Sequence, residues 1–337
     1  MINLKSLAEH LGVSQATVSR ALNDYSSVNA ETKARVLAAA QELGYRPNSN
    51  ARRLATGRIG AVGMVMPSGD SLLTDPHFVD FLAGLTETLA TWENEVVLTA
   101  SSEISTYQRF ATSGKVDAFV ISSPLPQDER ISVLCEIGFP FVVHGRGEMD
   151  PTYPYYDIDN REAARRGAGF LLELGHRDIG FVNGPAGAMF AVYREEGLRI
   201  ALENQGLVYR PDRVLNGAMT EEDGYRLAGR LLEAETPPTA ILCSSTLMVL
   251  GVLRQIRERG LVVGRDISVI THDDGLSSLK TNNFSVPLTV TYSSIREAGE
   301  AIAGMARKLV DGVPERDLQV VAPTELIVRG STGPVPG

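Results

Sequence analysis

The 337-residue chain has only two cysteines and no long apolar run. Cys135 and Cys243 form no Cys-x-x-Cys pair, so we expect both to be small core residues rather than metal or redox ligands. No run reaches the roughly 18 apolar residues that a membrane span needs. The N-terminal segment lacks the apolar core and the small-residue cleavage site of a secretory signal. These absences predict a cytoplasmic protein that does not interact with a membrane.

Catalytic motifs are also missing from the sequence. The five histidines are scattered without metal-ligand spacing, and there is no Walker loop, no G-x-S-x-G and no H-E-x-x-H. The glycines of GRIGAVG precede a strand rather than joining a strand to a helix, so they are no dinucleotide-binding fingerprint. The sequence therefore predicts no enzyme, no catalytic residues, no metal site and no cofactor.

Positive charge is scarce overall but concentrated near the N-terminus. The whole chain carries a formal net charge of −9. Residues 1–58 contain eight lysines and arginines against four acids, a net charge of +4, so the remaining residues carry −13. A small basic head on a large acidic body is typical of a DNA-binding module joined to a regulatory module.

Three short helical patterns occupy the basic head, each with apolar residues at helical spacing. These residues are Leu4, Leu7, Ala8 and Leu11 in the first, Val18, Ala21 and Leu22 in the second, and Val36, Leu37, Ala40 and Leu43 in the third. Ser14 and Asn29 are good N-caps for the second and third helices, and Gly12 and Gly44 are placed to end the first and third. The pattern predicts a helix-turn-helix module, although a three-helix cap without a ligand would share it.

The stretch NSNARRLATG can form one further short helix, capped by Asn48 and ended by Gly57. Such a helix is too short to be stable alone in water. Arg52 and Arg53 directly precede Leu54, and basic residues beside one apolar side chain suit insertion into the minor groove of DNA. A simple linker is the alternative interpretation.

From residue 59 onward, short apolar runs alternate with amphipathic stretches. This alternation favours parallel sheets covered by helices. About 270 residues are long for one sheet, so we expect two α/β lobes with a cleft between them. Ligands of such sheets bind at the carboxyl ends of the strands.

Two charged residues are candidates for that cleft. Asp273 follows the strand-like run ISVITH, where a carboxylate can accept two sugar hydroxyls, although it can equally form a turn or cap a helix. Arg194 lies near the start of a helical stretch, and a surface pair with Glu195 or Glu196 is its alternative role.

Three further residues are candidates for contacts with a ligand in the cleft. Phe190, four residues before Arg194, can stack on the apolar face of a sugar ring or simply pack in the core. Arg146 follows another strand-like run and, with His144, can donate hydrogen bonds to hydroxyls, unless it is a solvated loop arginine.

Several stretches carry a resemblance to a known family. LKSLAEHLGVSQATVSRALN, VNAETKARVLAAAQELGYRPNSNARRLATGR and IGAVGMVMP resemble the head of the lactose-repressor (LacI/GalR) family. VSxxTVSRxLN followed by GYxPNxxAR is far more specific than a helix-turn-helix pattern alone. GHRDIGFVNGP, GRDISVITHDD and PLTVTYSSIREAG extend the resemblance over essentially the whole chain. The HGR, FAxxR and ITHDD segments look most like the branch that senses α-glucosides or related oligosaccharides.

The resemblance implies an α/β fold class, in which an all-α helix-turn-helix head precedes a two-lobed body of doubly wound parallel sheets, like a periplasmic binding protein. It implies a DNA-binding domain at 1–46, a hinge helix at 47–58 and an effector-binding and dimerisation domain at 59–330. With three crossings between lobes, lobe one would lie near 59–160 and 290–318, and lobe two near 161–289 and 319–330.

The resemblance also implies site residues. DNA contacts are implied for Ser14, Gln15, Ala16, Thr17, Ser19, Arg20, Asn23, Asn48, Ala51 and Leu54. Effector contacts are implied for Asp273 and Arg194, and the predicted effector-binding residues also include Arg146, Phe190, His144 and Ser245. Ser245 and Thr246 stand where the family often has Asn-Asp. A hydroxyl reaches less far than an amide, so we expect the effector to be read differently than in the lactose repressor itself.

Together these features predict a homodimeric, sugar-binding transcription repressor of sugar-utilisation genes. A small sugar or oligosaccharide would release it from a palindromic operator in double-stranded DNA. Co-repression, in which the ligand tightens DNA binding, is one alternative. A solute-binding or sugar-metabolising protein with a helical cap is another, and it predicts no specific retention of DNA.

Overall fold

The computed structural model describes residues 3–22, 27–45, 57–66 and 72–336. The chain divides into two compact units, residues 1–60 and 61–337. The predicted class, α/β with an all-α head, is confirmed. No helix within the described ranges is long and apolar enough to cross a bilayer.

The described residues of the first unit form three short helices. They are α1 (Leu4–Leu11), α2 (Gln15–Leu22) and α3 (Ala30–Glu42). The side chain of Asn3 caps α1 and that of Asn29 caps α3, while Gly12 ends α1 with a φ of 67°. Leu7, Val18 and Val36 form the centre of the small apolar core. These three helices confirm the predicted helix-turn-helix pattern.

Two sequence-based expectations about individual side chains are wrong. Leu37 was expected in the buried stripe of α3 but is 54% exposed, because Val36, Ala39 and Ala40 already form the face that packs inward. Cys135 was expected in the core but is exposed near the end of a helix, whereas Cys243 is buried in a strand.

The second unit contains two lobes, each built on a six-stranded sheet. The sheet of lobe one has the order β2-β1-β3-β4-β5-β11, and all its neighbours are parallel. Its strands are β1 (Ala61–Met66), β2 (Glu95–Ala100), β3 (Ala118–Ser122), β4 (Phe141–His144), β5 (Tyr155–Ile158) and β11 (Gln319–Ala322). Its helices are α4 (Pro76–Ala90), α5 (Ser105–Thr112), α6 (Glu129–Ile137) and α11 (Ile295–Val310).

Lobe two repeats this arrangement with the order β7-β6-β8-β9-β10-β12. The edge strand β12 runs antiparallel to β10, and the other neighbours are parallel. Its strands are β6 (Ile179–Asn183), β7 (Val214–Asn216), β8 (Ala240–Cys243), β9 (Ser268–Asp273), β10 (Thr289–Tyr292) and β12 (Glu325–Ile327). Its helices are α7 (Asn160–Glu173), α8 (Met189–Asn204), α9 (Glu221–Leu232) and α10 (Thr246–Glu258).

The chain passes between the lobes three times, but two expected boundaries are wrong. Residues 319–322 form β11, which pairs with β5 and places Gln319 beside Tyr155, so they belong to lobe one. Residues 289–292 form β10, which pairs with β9 and belongs to lobe two. The strands on both sides of these crossings have similar short apolar patterns, so only the pairing assigns them to a sheet.

Glycines allow the covering helices to approach each other closely. A Cβ added at Gly84 of α4 would lie 2.1 Å from the carbonyl oxygen of Arg296 in α11. One added at Gly251 of α10 would lie 2.0 Å from the carbonyl oxygen of Glu221 in α9. The main chains of each helix pair are therefore in direct contact at these points, which leaves no space for a larger residue.

Candidate functional site

The first helices of the head present a polar surface at the start of α2. The Ser14 hydroxyl accepts a hydrogen bond from the backbone N–H of Thr17 at 3.0 Å and lies 2.9 Å from the Thr17 hydroxyl. Gln15, Ala16 and Arg20 are exposed, while Val18 on the opposite face is fully buried. The capped helix therefore fixes the direction of side chains that are chemically suited to bases and phosphates.

The other predicted DNA contacts divide into two groups. Thr17 and Ser19 are partly exposed on the same helix. Asn23, Asn48, Ala51 and Leu54 lie outside the described residues, so their predicted contacts stay predictions.

In the second unit, the loop that follows the carboxyl end of β9 in lobe two contacts the start of α4 in lobe one. Nε2 of His77 lies 3.1 Å from a carboxylate oxygen of Asp274. A second contact joins Asp80, which accepts a hydrogen bond from the backbone N–H of Ser277 at 2.7 Å. These contacts connect lobe one to the loop after β9 of lobe two.

Asp273, the strongest sequence candidate, is engaged within its own loop. One carboxylate oxygen accepts a hydrogen bond from the backbone N–H of Gly275 at 2.9 Å, and the other accepts one from the Thr281 hydroxyl at 2.5 Å. The residue is 6% exposed. Its neighbour Asp274, which sequence reasoning missed, has the carboxylate that faces lobe one.

The pair of His77 and Asp274 is held in its charged form. Burial opposes a charged His77, but hydrogen bonds to Asp274 and Asp75 raise the pKa of His77 to about 10. Burial likewise opposes a charged Asp274, yet His272 and His77 hold the pKa of this carboxyl well below 3.8. The Asp-Pro-His sequence at the start of α4 was the available signal, since Asp75 caps the helix and contacts His77.

His144, a predicted effector residue, lies beside this pair at the end of β4. Its ring stacks on Phe81, with centroids 4.6 Å apart and planes 17° apart. Burial lowers the pKa of His144 to about 4, so the ring is neutral at neutral pH. A neutral imidazole has one donor and one acceptor nitrogen for a ligand hydroxyl.

Arg146 is not a solvated loop residue. Its Nε donates to Asp157 at 2.8 Å, and its guanidinium lies 4.5 Å from the centre of the Tyr193 ring. Tyr193 belongs to α8 of lobe two, so Arg146 of lobe one also spans the cleft. Contact with a ring and a carboxylate fixes the plane of the guanidinium.

Arg194 does not form the surface pair that was its alternative role. It is 6% exposed, its Nε donates to Oδ1 of Asn160 at 2.8 Å and Nη1 donates to the carbonyl oxygen of Ser244 at 2.6 Å. The ring of Phe190 lies 5.2 Å from its guanidinium and packs above Gly184, where a Cβ would approach the ring to 2.5 Å. Arg194 and Phe190 therefore form one surface.

Ser245 has a structural role in this cleft. It is fully buried, and its hydroxyl caps α10 by accepting a hydrogen bond from the backbone N–H of Met248 at 3.1 Å. Thus Arg146, Arg194 and Phe190 are brought together, while Ser245 is committed to the helix start. In the described part of the chain, no three His, Cys, Asp or Glu residues are grouped so as to hold a metal ion.

Family comparisons match both units. Residues 3–48 match the model "Bacterial regulatory proteins, lacI family", and residues 168–332 match "Periplasmic binding protein-like domain". The chain is 48% identical to the HTH-type transcriptional regulator AglR of Rhizobium meliloti (strain 1021), over 99% of this chain and 95% of the relative.

Two solved structures extend this similarity. The transcriptional regulator CelR–cellobiose complex has a TM-score of 0.72 and 28% identity, and the match covers 98% of this chain and 100% of that one. The lac repressor dimer bound to operator and the anti-inducer ONPF has a TM-score of 0.75 and 26% identity, over 98% and 99% of the two chains. The family prediction is confirmed: the chain belongs to the lacI family of bacterial regulatory proteins and is a DNA-binding transcriptional regulator.

Proposed function

We propose that the protein is a homodimeric repressor of sugar-utilisation genes, released from a pseudopalindromic operator by an α-glucoside or a related oligosaccharide. The observation that carries this proposal is the cleft surface of Arg194, Phe190 and Arg146. Fixed guanidinium donors beside an aromatic ring are the groups that bind a sugar through its hydroxyls and its apolar face.

The proposed ligand contacts follow from the geometry of each residue. Arg194 and Arg146 donate to hydroxyls, Phe190 stacks on the ring, and neutral His144 adds one donor or acceptor. Each oxygen of Asp273 accepts one bond within the loop and has a further lone pair for a sugar hydroxyl. Ser245 acts indirectly, through the start of α10.

The similar structures support an oligosaccharide as the class of ligand and operator DNA as the partner. One contains cellobiose, and the other is a dimer bound to its operator. Because sugar and operator favour different arrangements of a two-state protein, binding of one must weaken binding of the other by the same factor. We propose that a sugar between the lobes changes how lobe one meets its dimer mate, and that this weakens operator binding.

The test is a titration of the full-length protein on DNA from upstream of its own coding region, at one fixed salt concentration. The panel contains maltose, trehalose and sucrose, with cellobiose as a β-linked comparison and glucose as a monosaccharide. We expect specific binding that one of the α-glucosides releases. Tighter binding with a sugar would establish co-repression instead, and no effect of any sugar would contradict the proposed effector class.

Two variants sharpen this test. Arg194→Ala removes charged donors, so it should raise the sugar concentration needed for half-release by about tenfold or more. Arg199 lies on the same helix and pairs with Glu196 and Glu203 at the surface, so Arg199→Ala should leave this concentration unchanged.

A further inference from the structure

A continuous chain of hydrogen bonds connects the two cleft arginines. Nε of Arg146 donates to Oδ2 of Asp157 at 2.8 Å. Nδ2 of Asn160 donates to Oδ1 of the same carboxylate at 3.1 Å. Oδ1 of Asn160 then accepts from Nε of Arg194 at 2.8 Å. We call these four residues the arginine relay.

The two central members of the relay are buried and chemically specific. Asp157 is 8% exposed and Asn160 is 2% exposed. Asn160 accepts from a guanidinium through Oδ1 and donates to a carboxylate through Nδ2, so the two functions of the amide lie on separate atoms. An aspartate there would face the carboxylate of Asp157 with a second charge, and an apolar side chain would leave both neighbours without this partner.

The relay also coincides with the first crossing between the lobes. Asp157 lies on β5 of lobe one, and Asn160 is the first residue of α7 in lobe two. Oδ1 of Asp157 additionally accepts from the backbone N–H of Ile158 at 2.8 Å, which fixes the carboxylate to the crossing segment. The two arginines therefore share a single anchor although they belong to different lobes.

The relay leaves other guanidinium donors for a ligand. Within the ranges that the structure describes, neither Nη group of Arg146 nor Nη2 of Arg194 has a hydrogen-bond acceptor. Each arginine is held through Nε by the anchor, and Arg194 is held additionally through Nη1 by the carbonyl oxygen of Ser244. The position of the anchor therefore contributes to the direction of the remaining N–H groups. A donor that is fixed before binding loses less conformational entropy when the ligand arrives.

We propose that Asp157 and Asn160 are positioning residues that aim Arg146 and Arg194 together at one bound sugar. This inference rests on the proposed function, because it names the residues that prepare the same cleft. The relay makes sugar affinity depend on two side chains that contact the arginines rather than the ligand. It also makes the contributions of Arg146 and Arg194 depend on each other.

The test compares Asp157→Asn and Asn160→Ser with a matched control, Asp178→Asn. Asp178 also holds a buried arginine, since Arg213 is 4% exposed and donates to it at 2.8 Å. It directly precedes β6, however, at the end of the sheet opposite the cleft. The control therefore reports the loss of a similar pair without any change at the cleft.

The measurements are the sugar concentration for half-release of operator, the operator affinity without sugar and the melting temperature, on the full-length dimer. The sugar is the panel member that releases the wild type best. We expect Asp157→Asn and Asn160→Ser each to raise the half-release concentration by about tenfold. Operator affinity without sugar should stay within about threefold, and Asp178→Asn should leave the half-release concentration unchanged.

The double variant gives a second criterion. If Asp157 and Asn160 act through one relay, combining their substitutions should shift the half-release concentration little more than either alone. This comparison uses ratios among folded variants, and Asn160→Ser alone keeps the test decisive if Asp157→Asn does not fold.

The outcomes separate this inference from the proposed function. If a sugar releases the wild type from the operator and the same concentration releases the relay variants, the relay is overturned and the proposed function stands. An equal shift in Asp178→Asn also overturns it, because the effect would then follow general destabilisation. A wild type that no sugar releases overturns the proposed function and the relay with it.

Discussion

Lobe one and lobe two have the same strand order but very different interiors. Both sheets have six strands in corresponding positions, and they differ only in the direction of the final edge strand. Lobe two buries many polar side chains near its strands, including His176, Asn183, Ser244 and His272. Lobe one buries few, among them Asp80, Thr106 and Asp128. The shared strand order places strand ends at equivalent positions in the two lobes. The side chains at those positions differ, so the contacts that the strand ends make also differ.

This contrast suggests different roles in ligand binding. In lobe two, Arg194 is fixed by Asn160 and by the carbonyl oxygen of Ser244, and the loop after β9 is fixed through Asp273. In lobe one, His77 and Arg146 reach across to partners in the other lobe. Lobe two therefore fixes Arg194 and the loop after β9, and lobe one contributes His77 and Arg146, which contact lobe two.

The largest expected effect tests the similarity of the two lobes. Gly251 in lobe two and Gly299 in lobe one each lie where two covering helices cross in close contact. A Cβ would lie 2.0 Å from the carbonyl oxygen of Glu221 at Gly251 and 2.2 Å from that of Phe81 at Gly299. Gly251→Ala and Gly299→Ala should each lower the free energy of unfolding by about 3 kcal/mol, because the helices must separate. Urea unfolding of the full-length protein measures both values.

Similar losses at the two crossings would support a common architecture with a common packing requirement. A loss below about 1 kcal/mol at either position would show that its helix pair can move apart freely, and the two lobes would not be equivalent in packing.

The next effect concerns the contact between the lobes. The pKa of His77 is raised to about 10 in the folded protein, against 6.5 for the ordinary side chain. Its contribution to stability is therefore complete below pH 6.5 and is lost as the pH rises towards 10. The pKa of Asp274 is lowered, so its contribution exists above pH 3.8 and is lost as the pH falls through the folded value.

Asp274→Asn should thus cost about 2 kcal/mol near pH 6, where both groups are charged, and less near pH 10. Urea unfolding at pH 6, 8 and 10 measures this difference, and a histidine NMR titration should show the pKa of His77 falling in the variant. Asp212→Asn is the control, because Asp212 pairs with Arg210 at the surface and should show no such trend. A constant cost across this pH range would contradict a charged contact between the lobes.

Sequence reasoning identified the frame of the molecule because local patterns determine it. Leu7, Val18 and Val36 repeat at helical spacing, and the apolar strand runs of the body are separated by turn residues. The sequence alone does not predict the pairing of the edge strands β11 and β12, because their partners β5 and β10 are distant in sequence. Long-range pairing, rather than local pattern, assigns these strands to their lobes.

The candidate site shows the same limit at single residues. Asp273 and Asp274 are adjacent, and β9 is buried along its whole length, so no polar alternation indicates which carboxylate faces the cleft. The sequence marks Arg194 as a candidate, but its partners Asn160 and Ser244 are 34 and 50 residues away. Contacts over such separations follow from the fold and have no signal in a short motif.

The smallest expected effect tests whether the cost of replacing a helix glycine depends on close backbone contact at a helix crossing. Gly169 in α7 of lobe two and Gly304 in α11 of lobe one have no atom within 4 Å of an added Cβ. Gly169→Ala and Gly304→Ala should therefore raise the free energy of unfolding by about 0.5–1 kcal/mol each, because alanine restricts the unfolded chain and favours the helix. Thermal and urea unfolding should show small, equal gains in both lobes. Since Gly299 and Gly304 share one helix, opposite signs at these two positions would attribute the cost to backbone contact at the crossing. A loss at Gly304 would instead mean that the whole helix face requires glycine.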